Sequence, residues 1–290
     1  MIRLHDIRYV RLGTREPENS DRFLRQMLGL SPVGLEGGFR YYGSDERDHT
    51  LVIFEGDPSR QTVGFELGSL EELEAAAAAL DDLGVAAHWG TAVECAQRRV
   101  EAFIAFRDPS GNSIDLIAGA APSRGMRPPE LDPCITGFSH VGLCTTDAPR
   151  DERFWVEVLG ARVSDRIGQA ALLRIDEVHH RIALFPAARG GIQHINHQVG
   201  SIDDLMRAWY RLRKAGVRIV FGPGRHPTSG AVFLYFAGPD GMVYEYSTGV
   251  RTIPADQEAS YRPRQFPLAP ESFCTWGAIP EIEQFRSSLT

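Results

Sequence analysis

The sequence predicts an α+β protein of two homologous domains, each built from two βαβββ modules that form an open barrel-like mixed sheet around a cleft. Three observations carry that prediction. The chain matches itself at an offset near 130 residues. Each half is itself double. In each quarter a short apolar strand precedes a segment of helical period, and β-rich segments follow.

The repeat can be read directly. Shifted by 131, DRFLRQMLGL falls on ERFWVEVLGA, so Phe23 meets Phe154, Leu28 meets Leu159 and Gly29 meets Gly160. Shifted by 132, FELGSLEEL falls on HQVGSIDDL, and shifted by 130, FIAFRDPSGNSIDLI falls on FLYFAGPDGMVYEYS. Offsets this constant mean two copies of one domain, joined near 119–133, where Gly and Pro concentrate. The expected division is 1–120 for an N-terminal metal-free domain, 134–250 for a C-terminal catalytic domain and 251–290 for a tail covering the site.

The elements follow in order. In the first half, strand 8–13 leads into helix 20–28, and strand 63–67 into helix 70–83. The last of these, GSLEELEAAAAALDDLG, starts on a Ser cap with an acidic first turn and ends on Gly. The second half gives strand 139–145 with helix 150–159, then strand 195–199 with helix 202–215. It closes on a hairpin, AVFLYFA and MVYEYS around GPDG. Tyr235 and Glu245 lie symmetrically about Asp240 and are expected to face each other across that hairpin. A carboxylate in the middle of VYEYS is costly to bury unless it is paired or holds a metal.

Bulk properties narrow the function. The chain has 290 residues, is 43% hydrophobic and carries a net charge of -7, which gives no attraction to nucleic acid or to an anionic membrane. No apolar run approaches the ~18 residues needed to span a bilayer. Charges interrupt MIRLHDIRYVRLGT, so it does not read as a signal peptide. The four cysteines (Cys95, Cys134, Cys144 and Cys274) are scattered and form no CxxC, which suits free thiols in a reducing cytoplasm. There is no GxGxxG after a strand, no P-loop and no nucleophile elbow.

The two copies differ in their polar residues. Glu245 aligns with Asp115, but His140 aligns with Tyr9, His194 with Thr62 and Tyr235 with Ala105. Six of the nine histidines lie between 140 and 226. His140 and His194 sit on corresponding first strands of the third and fourth modules, and pseudo-twofold symmetry should aim both into one cleft. With Glu245 they make two neutral imidazoles and one carboxylate, the donor set of non-haem Fe(II) oxygenases. Taken singly, each histidine has an ordinary reading as a core or surface residue, and Glu245 as the partner of an arginine. Their combination on corresponding strands of one copy is what departs from those readings.

These residues resemble the type I extradiol catechol dioxygenases of the vicinal oxygen chelate (glyoxalase–bleomycin resistance–dioxygenase) superfamily. The family signature runs from a His through an aliphatic-Tyr pair and a Pro turn to a Glu. Here it reads His226, Leu234-Tyr235, Pro239, Gly241 and Glu245, with Gly238 departing at a turn position where the family has Asp, Glu, Asn, Thr or Ala. The resemblance implies Fe(II), less often Mn(II), held by His140, His194 and Glu245. It implies a catechol and O2 as small-molecule partners, a metal-chelated catecholate, an alkylperoxo species and a ring-opened product. VHHRIAL resembles the segment carrying the family's acid–base histidine, and alignment on Ala-Leu selects His180 over His179. His226 and Tyr235 match the hydrogen-bond donors around the substrate oxygens. Relatives are often homo-oligomers, so one is expected here.

Other residues are expected near the site. Asn196 shares a strand face with His194, and either borders the pocket or bonds backbone; His197 points the other way. The apolar pocket candidates are Ile182, Phe185, Phe221, Val232 and Trp276, the last from a tail segment, PESFCTWGAIP, that either covers the site or simply docks. Two other functions compete. A glyoxalase-like lyase or isomerase needs a fourth protein ligand at the symmetry mate of Glu245, expected around Leu184, where RIALFP offers none. A metal-free binding or resistance protein has no use for this donor set.

Overall fold

The computed structural model describes residues 1–123 and 135–286. Cys134, most of the expected join and the last four residues lie outside them. The first module is β1 (Asp6–Thr14), α1 (Pro17–Gln26), β2 (Ser31–Glu36), β3 (Phe39–Gly43) and β4 (Leu51–Glu55). The second is β5 (Gln61–Glu66), α2 (Leu70–Asp82), β6 (His88–Trp89), α3 (Ala92–Ala96), β7 (Val100–Arg107) and β8 (Ser113–Ala120). The third is β9 (Ile135–Thr145), α4 (Ala148–Glu157), β10 (Arg162–Ile167), β11 (Ala170–Arg174) and β12 (Ile182–Pro186). The fourth is β13 (Gly191–Val199), α5 (Ile202–Lys214), β14 (Ile219–Arg225), β15 (Val232–Ala237) and β16 (Val243–Thr248). A tail adds β17 (Arg264–Phe266), α6 (Pro270–Phe273) and α7 (Glu283–Arg286).

Four βαβββ units are therefore present, and the sheets show how they pair. The first sheet runs β2-β3-β4-β1-β5-β8-β7-β6, and the second runs β14-β15-β16-β13-β9-β12-β11-β10-β17. Apart from β17 at the edge of the second, each is two copies of one four-strand order set head to head. Their first strands meet antiparallel, β1 on β5 and β9 on β13. Every first strand pairs parallel with the last strand of its own module. A pseudo-twofold axis thus passes between β9 and β13, and residues on both strands face one cleft.

Local chemistry sets the helix starts. Ser69 and Ser201 cap α2 and α5 by accepting from the backbone N–H three residues on. The two remaining long helices begin two or three residues earlier than their apolar period suggests. Pro17 and Pro149 stand in their first turns, where proline's missing N–H costs nothing. Helix α3 was not expected; a capping box between Thr91 and Glu94 stabilises it.

One continuous core runs through both halves, from Ile7 and Phe65 to Trp155 and Tyr246. Trp155 of α4 packs edge-on against Phe65 of β5 at 5.5 Å, and Phe23 of α1 lies 5.6 Å from Tyr244 of β16. Each half thus helps bury the other's helices. Asp240, at positive φ in the hairpin turn, accepts from Thr14 Oγ1 at 2.6 Å and ties that turn to the first half. Among the described residues no helix is long and apolar enough to cross a membrane.

Candidate metal centre

Register brings the polar residues together. Tyr235 of β15 pairs with Glu245 of β16, Glu245 with Asn196 of β13, and Asn196 with His140 of β9. One row across four strands therefore carries all four on one face. His194 sits two residues before Asn196 on the same face. His140 Nε2 lies 3.0 Å from His194 Nε2 and 3.1 Å from Glu245 Oε2, and His194 Nε2 lies 3.3 Å from Glu245 Oε2. All three side chains are buried.

This trio fits a divalent cation. Donors about 2.1 Å from one point and mutually at right angles lie about 3.0 Å apart, close to the three separations found. The Nδ1–H of His194 donates to the Gln193 side-chain carbonyl, so its Nε2 presents a lone pair to the common point. Glu245 Oε2 is buried without a hydrogen bond. Burial would raise the Glu245 carboxyl, but His140, His194 and His226 outweigh it and hold the group well below its usual range, as an anion. Burial likewise pushes His140 down to about 4, keeping it neutral and able to ligate. Gly142, opposite His194, has no substitute: a Cβ there would stand 2.4 Å from His194 Nδ1.

His180 stands beside the trio, its ring centroid 4.2 Å from that of His140. Its partners fix its tautomer. Asp165 Oδ2 can only accept, so His179 Nε2 donates to it at 2.8 Å. His179 Nδ1 is then an acceptor, and His180 Nδ1 donates to it at 3.1 Å. The His180 Nε2 lone pair is left free. Burial, then the neighbouring imidazoles, hold His180 well below its usual pKa, so it is a neutral base. Asp165 is buried between the tail's Arg264 (2.6 Å) and Arg251 (3.2 Å).

Tyr235 and His226 form a second chain. The Phe273 carbonyl of α6 accepts from His226 Nδ1 at 2.7 Å, so His226 Nε2 accepts from the Tyr235 hydroxyl at 3.2 Å. Burial, and then the Glu245 charge, hold the Tyr235 phenol well above its usual range, so it stays a donor. Asn196 spends its amide on Ser247 Oγ, at 2.9 and 3.1 Å. His197 faces the opposite side and packs on Phe138.

The apolar candidates divide. Phe185 and Phe221 lie on the site face with Tyr235 and Phe233. Ile182 and Val232 do not: strand alternation turns them into the helix-side core with Leu184 and Leu234. Trp276 is 52% exposed, with Arg225 over its ring, and does not cap the pocket. Phe285 of α7 takes that place, 4.9 Å from Phe185, 5.1 Å from Phe273 and 5.9 Å from Tyr235. The symmetry mate of Glu245 is Ala183 rather than Leu184, because Ala183 pairs with Gly142 as Glu245 pairs with Asn196. It too offers no donor. Asp165, Gln193, Phe273 and Phe285 were not foreseen; a carboxylate inside RVSDRI was the same kind of signal as Glu245 inside VYEYS.

The first half supplies an internal comparison. Tyr9, Thr62, Gly64 and Asp115 occupy the places of His140, His194, Asn196 and Glu245. There the buried acid is neutralised from within. Arg98 Nε donates to Asp115 Oδ2 at 2.6 Å and the Tyr9 hydroxyl donates to it at 2.9 Å.

A family model described as the Glyoxalase/Bleomycin resistance protein/Dioxygenase superfamily matches residues 6–116 and 137–246. The chain is 29% identical to an "Iron-dependent extradiol dioxygenase" of Rhodococcus jostii, over 86% of this chain and 91% of that protein. It is 29% identical to a "Biphenyl-2,3-diol 1,2-dioxygenase" of Paraburkholderia xenovorans, over 80% and 83%. Among solved structures, a Mn(II)-bound glyoxalase from Novosphingobium aromaticivorans superposes with TM-score 0.87 at 24% identity, covering 98% and 94% of the two chains. Homoprotocatechuate 2,3-dioxygenase from Arthrobacter globiformis superposes with TM-score 0.85 at 20% identity, covering 98% and 91%.

Proposed function

The chain belongs to the Glyoxalase/Bleomycin resistance protein/Dioxygenase superfamily, and from that premise we propose that it is an extradiol ring-cleaving dioxygenase acting on a substituted catechol with O2. One observation carries the reading: three converging buried donors, His140, His194 and Glu245, with the neutral base His180 set against them. Fe(II) held by those three would lower the pKa of a chelating hydroxyl and supply the one-electron chemistry that dioxygen requires. A glyoxalase-type lyase with four protein ligands is disfavoured by Ala183 at the fourth position.

The chain's own groups do the rest. His180 Nε2 takes a proton from a catechol hydroxyl and returns it to the departing oxygen as the ring opens. His179 and Asp165 hold it in the tautomer that leaves Nε2 free. When substrate is bound, the Tyr235 hydroxyl turns its one proton from His226 Nε2 to the substrate oxygen as charge develops there. Phe185 and Phe221 give an apolar, water-poor wall suited to an aryl or alkyl substituent. We assign 1–120 as a scaffold domain, 134–250 as the catalytic domain and 251–290 as the tail over it, in a cytoplasmic homo-oligomer. Sedimentation of the purified protein tests the oligomer.

The decisive experiment is anaerobic loading with Fe(II), then a catechol and oxygen. A yellow ring-fission product should form, and Glu245→Ala should lose both iron and activity. A protein that binds no iron, or that converts only thiol adducts, would overturn the reading.

A further inference from the structure

The cleft of the first half is not filled. A cavity of about 660 Å³ lies against its sheet, reaching Leu143 and Ile192 of the second half. Arg11, Arg60, Arg98 and Arg107 line it, and Glu94 is the one acid there among the described residues. Glu94 is already committed to Thr91 and His88, and Arg98 to Asp115. Arg107 donates to the Gly111 carbonyl.

Arg11 is the residue without an account. It is only 7% exposed, yet among the described residues no carboxylate pairs with it and its Nε has no hydrogen bond. Its guanidinium lies over Phe39 and Phe54, 5.3 and 5.7 Å from their centroids. Ring faces offset part of the cost of burying a cation, but they do not accept its N–H groups in plane. Burial, then the nearby Arg98 charge, lowers its proton affinity, so nothing in the chain compensates it fully. By register Arg11 stands where the catalytic half has Gly142. It therefore projects from the sheet face that carries the metal centre in the other copy.

We infer that this cleft is a second binding site, for a small organic carboxylate with a flat apolar body. The Arg11 fork takes the carboxylate. Phe39, Phe54 and Ile192 take the body, and Arg60, exposed at the rim over Phe54 at 5.0 Å, adds charge. The volume suits a one- or two-ring ligand.

The test is calorimetric titration of the iron-loaded protein with benzoate, without oxygen, in the presence and absence of saturating 4-methylcatechol. Benzoate should bind in both conditions, and inorganic phosphate about tenfold more weakly or worse. Arg11→Met should weaken benzoate at least about tenfold and Arg60→Gln about threefold. The site does not exist if benzoate shows no saturable binding up to about 10 mM. Displacement by catechol would place the binding at the metal centre instead. Phosphate binding as tightly as benzoate would remove the apolar part of the claim. Wild-type affinity in folded Arg11→Met overturns it. Should that variant not fold, unchanged affinity in Arg60→Gln does the same.

Discussion

His194 owes its position to two residues that ligate nothing. The Gln193 side-chain carbonyl accepts its Nδ1–H, and Gly142 leaves room for its ring. Gly142→Ala should therefore expel the imidazole, and metal analysis of the purified variant should find well under half the wild-type iron. His180→Ala makes the opposite prediction. It should keep full iron and lose about 10²- to 10⁴-fold in kcat, as expected for a lost acid–base group. Loss of iron instead would make His180 a ligand. His194 stood out because the repeat sets it against Thr62, and His180 because VHHRIAL resembles the family's acid–base segment. Gln193 was not legible, because its part depends on a bulge between Ile192 and His194 that no local pattern announces.

At the scale of elements, the hairpin of β15 and β16 was read in its correct register from its turn alone. The loop between β11 and β12 was read only halfway. His180 could be selected, but its support comes from Asp165 on β10, which is held in turn by Arg264 on β17. Removing that carboxylate removes a charge that favours protonated imidazole. Asp165→Asn should move the acidic limb of the kcat–pH profile to lower pH and cut kcat about tenfold, with a smaller change in KM. An unmoved limb with lost stability would make the chain merely structural. Helix α7 carries another expectation. Phe285 fills the apolar pocket beside Phe185 and Tyr235. Phe285→Ala should lower KM for 3-phenylcatechol several-fold relative to catechol in steady-state assays, and an equal effect on both would place Phe285 off the substrate's path.

Across the whole molecule, several imidazoles are buried in neutral form. Burial holds His49 and His179 below their usual range and pushes His197 down to about 3. Unfolded, each titrates near 6.5. Above that pH both states are neutral and the contribution to stability is fully present. As pH falls toward 3, the unfolded chain takes up protons first, so stability is lost at up to about 1.4 kcal/mol per pH unit for each histidine. Urea midpoints of the metal-free protein should fall from pH 7 to pH 5. His197→Leu should flatten that slope, and an unchanged slope would mean His197 is charged in the fold. The shared core makes this a property of the full chain: Trp155 packs on Phe65, and Arg47 of the first half lies over Phe138, on which His197 packs, so neither half titrates alone.

The sequence by itself determined the fourfold βαβββ plan, the copy in which the histidines concentrate and the grouping of His140, His194 and Glu245 that the fold brings together. Those follow from period, offset and chemical contrast, which are written along the chain. Parity alone would also have removed Val232, which stands three residues from Tyr235 and so on the other face, and would have kept Ile182 and Phe185 from lining one wall. Only the tertiary structure decided that Phe285 and not Trp276 enters the pocket, that Asp165 anchors the histidine chain, and that Arg98 neutralises Asp115 in the first half. Each of those joins segments separated by tens of residues through side-chain direction. Packing sets that direction after the sheets have closed, and local pattern does not encode it.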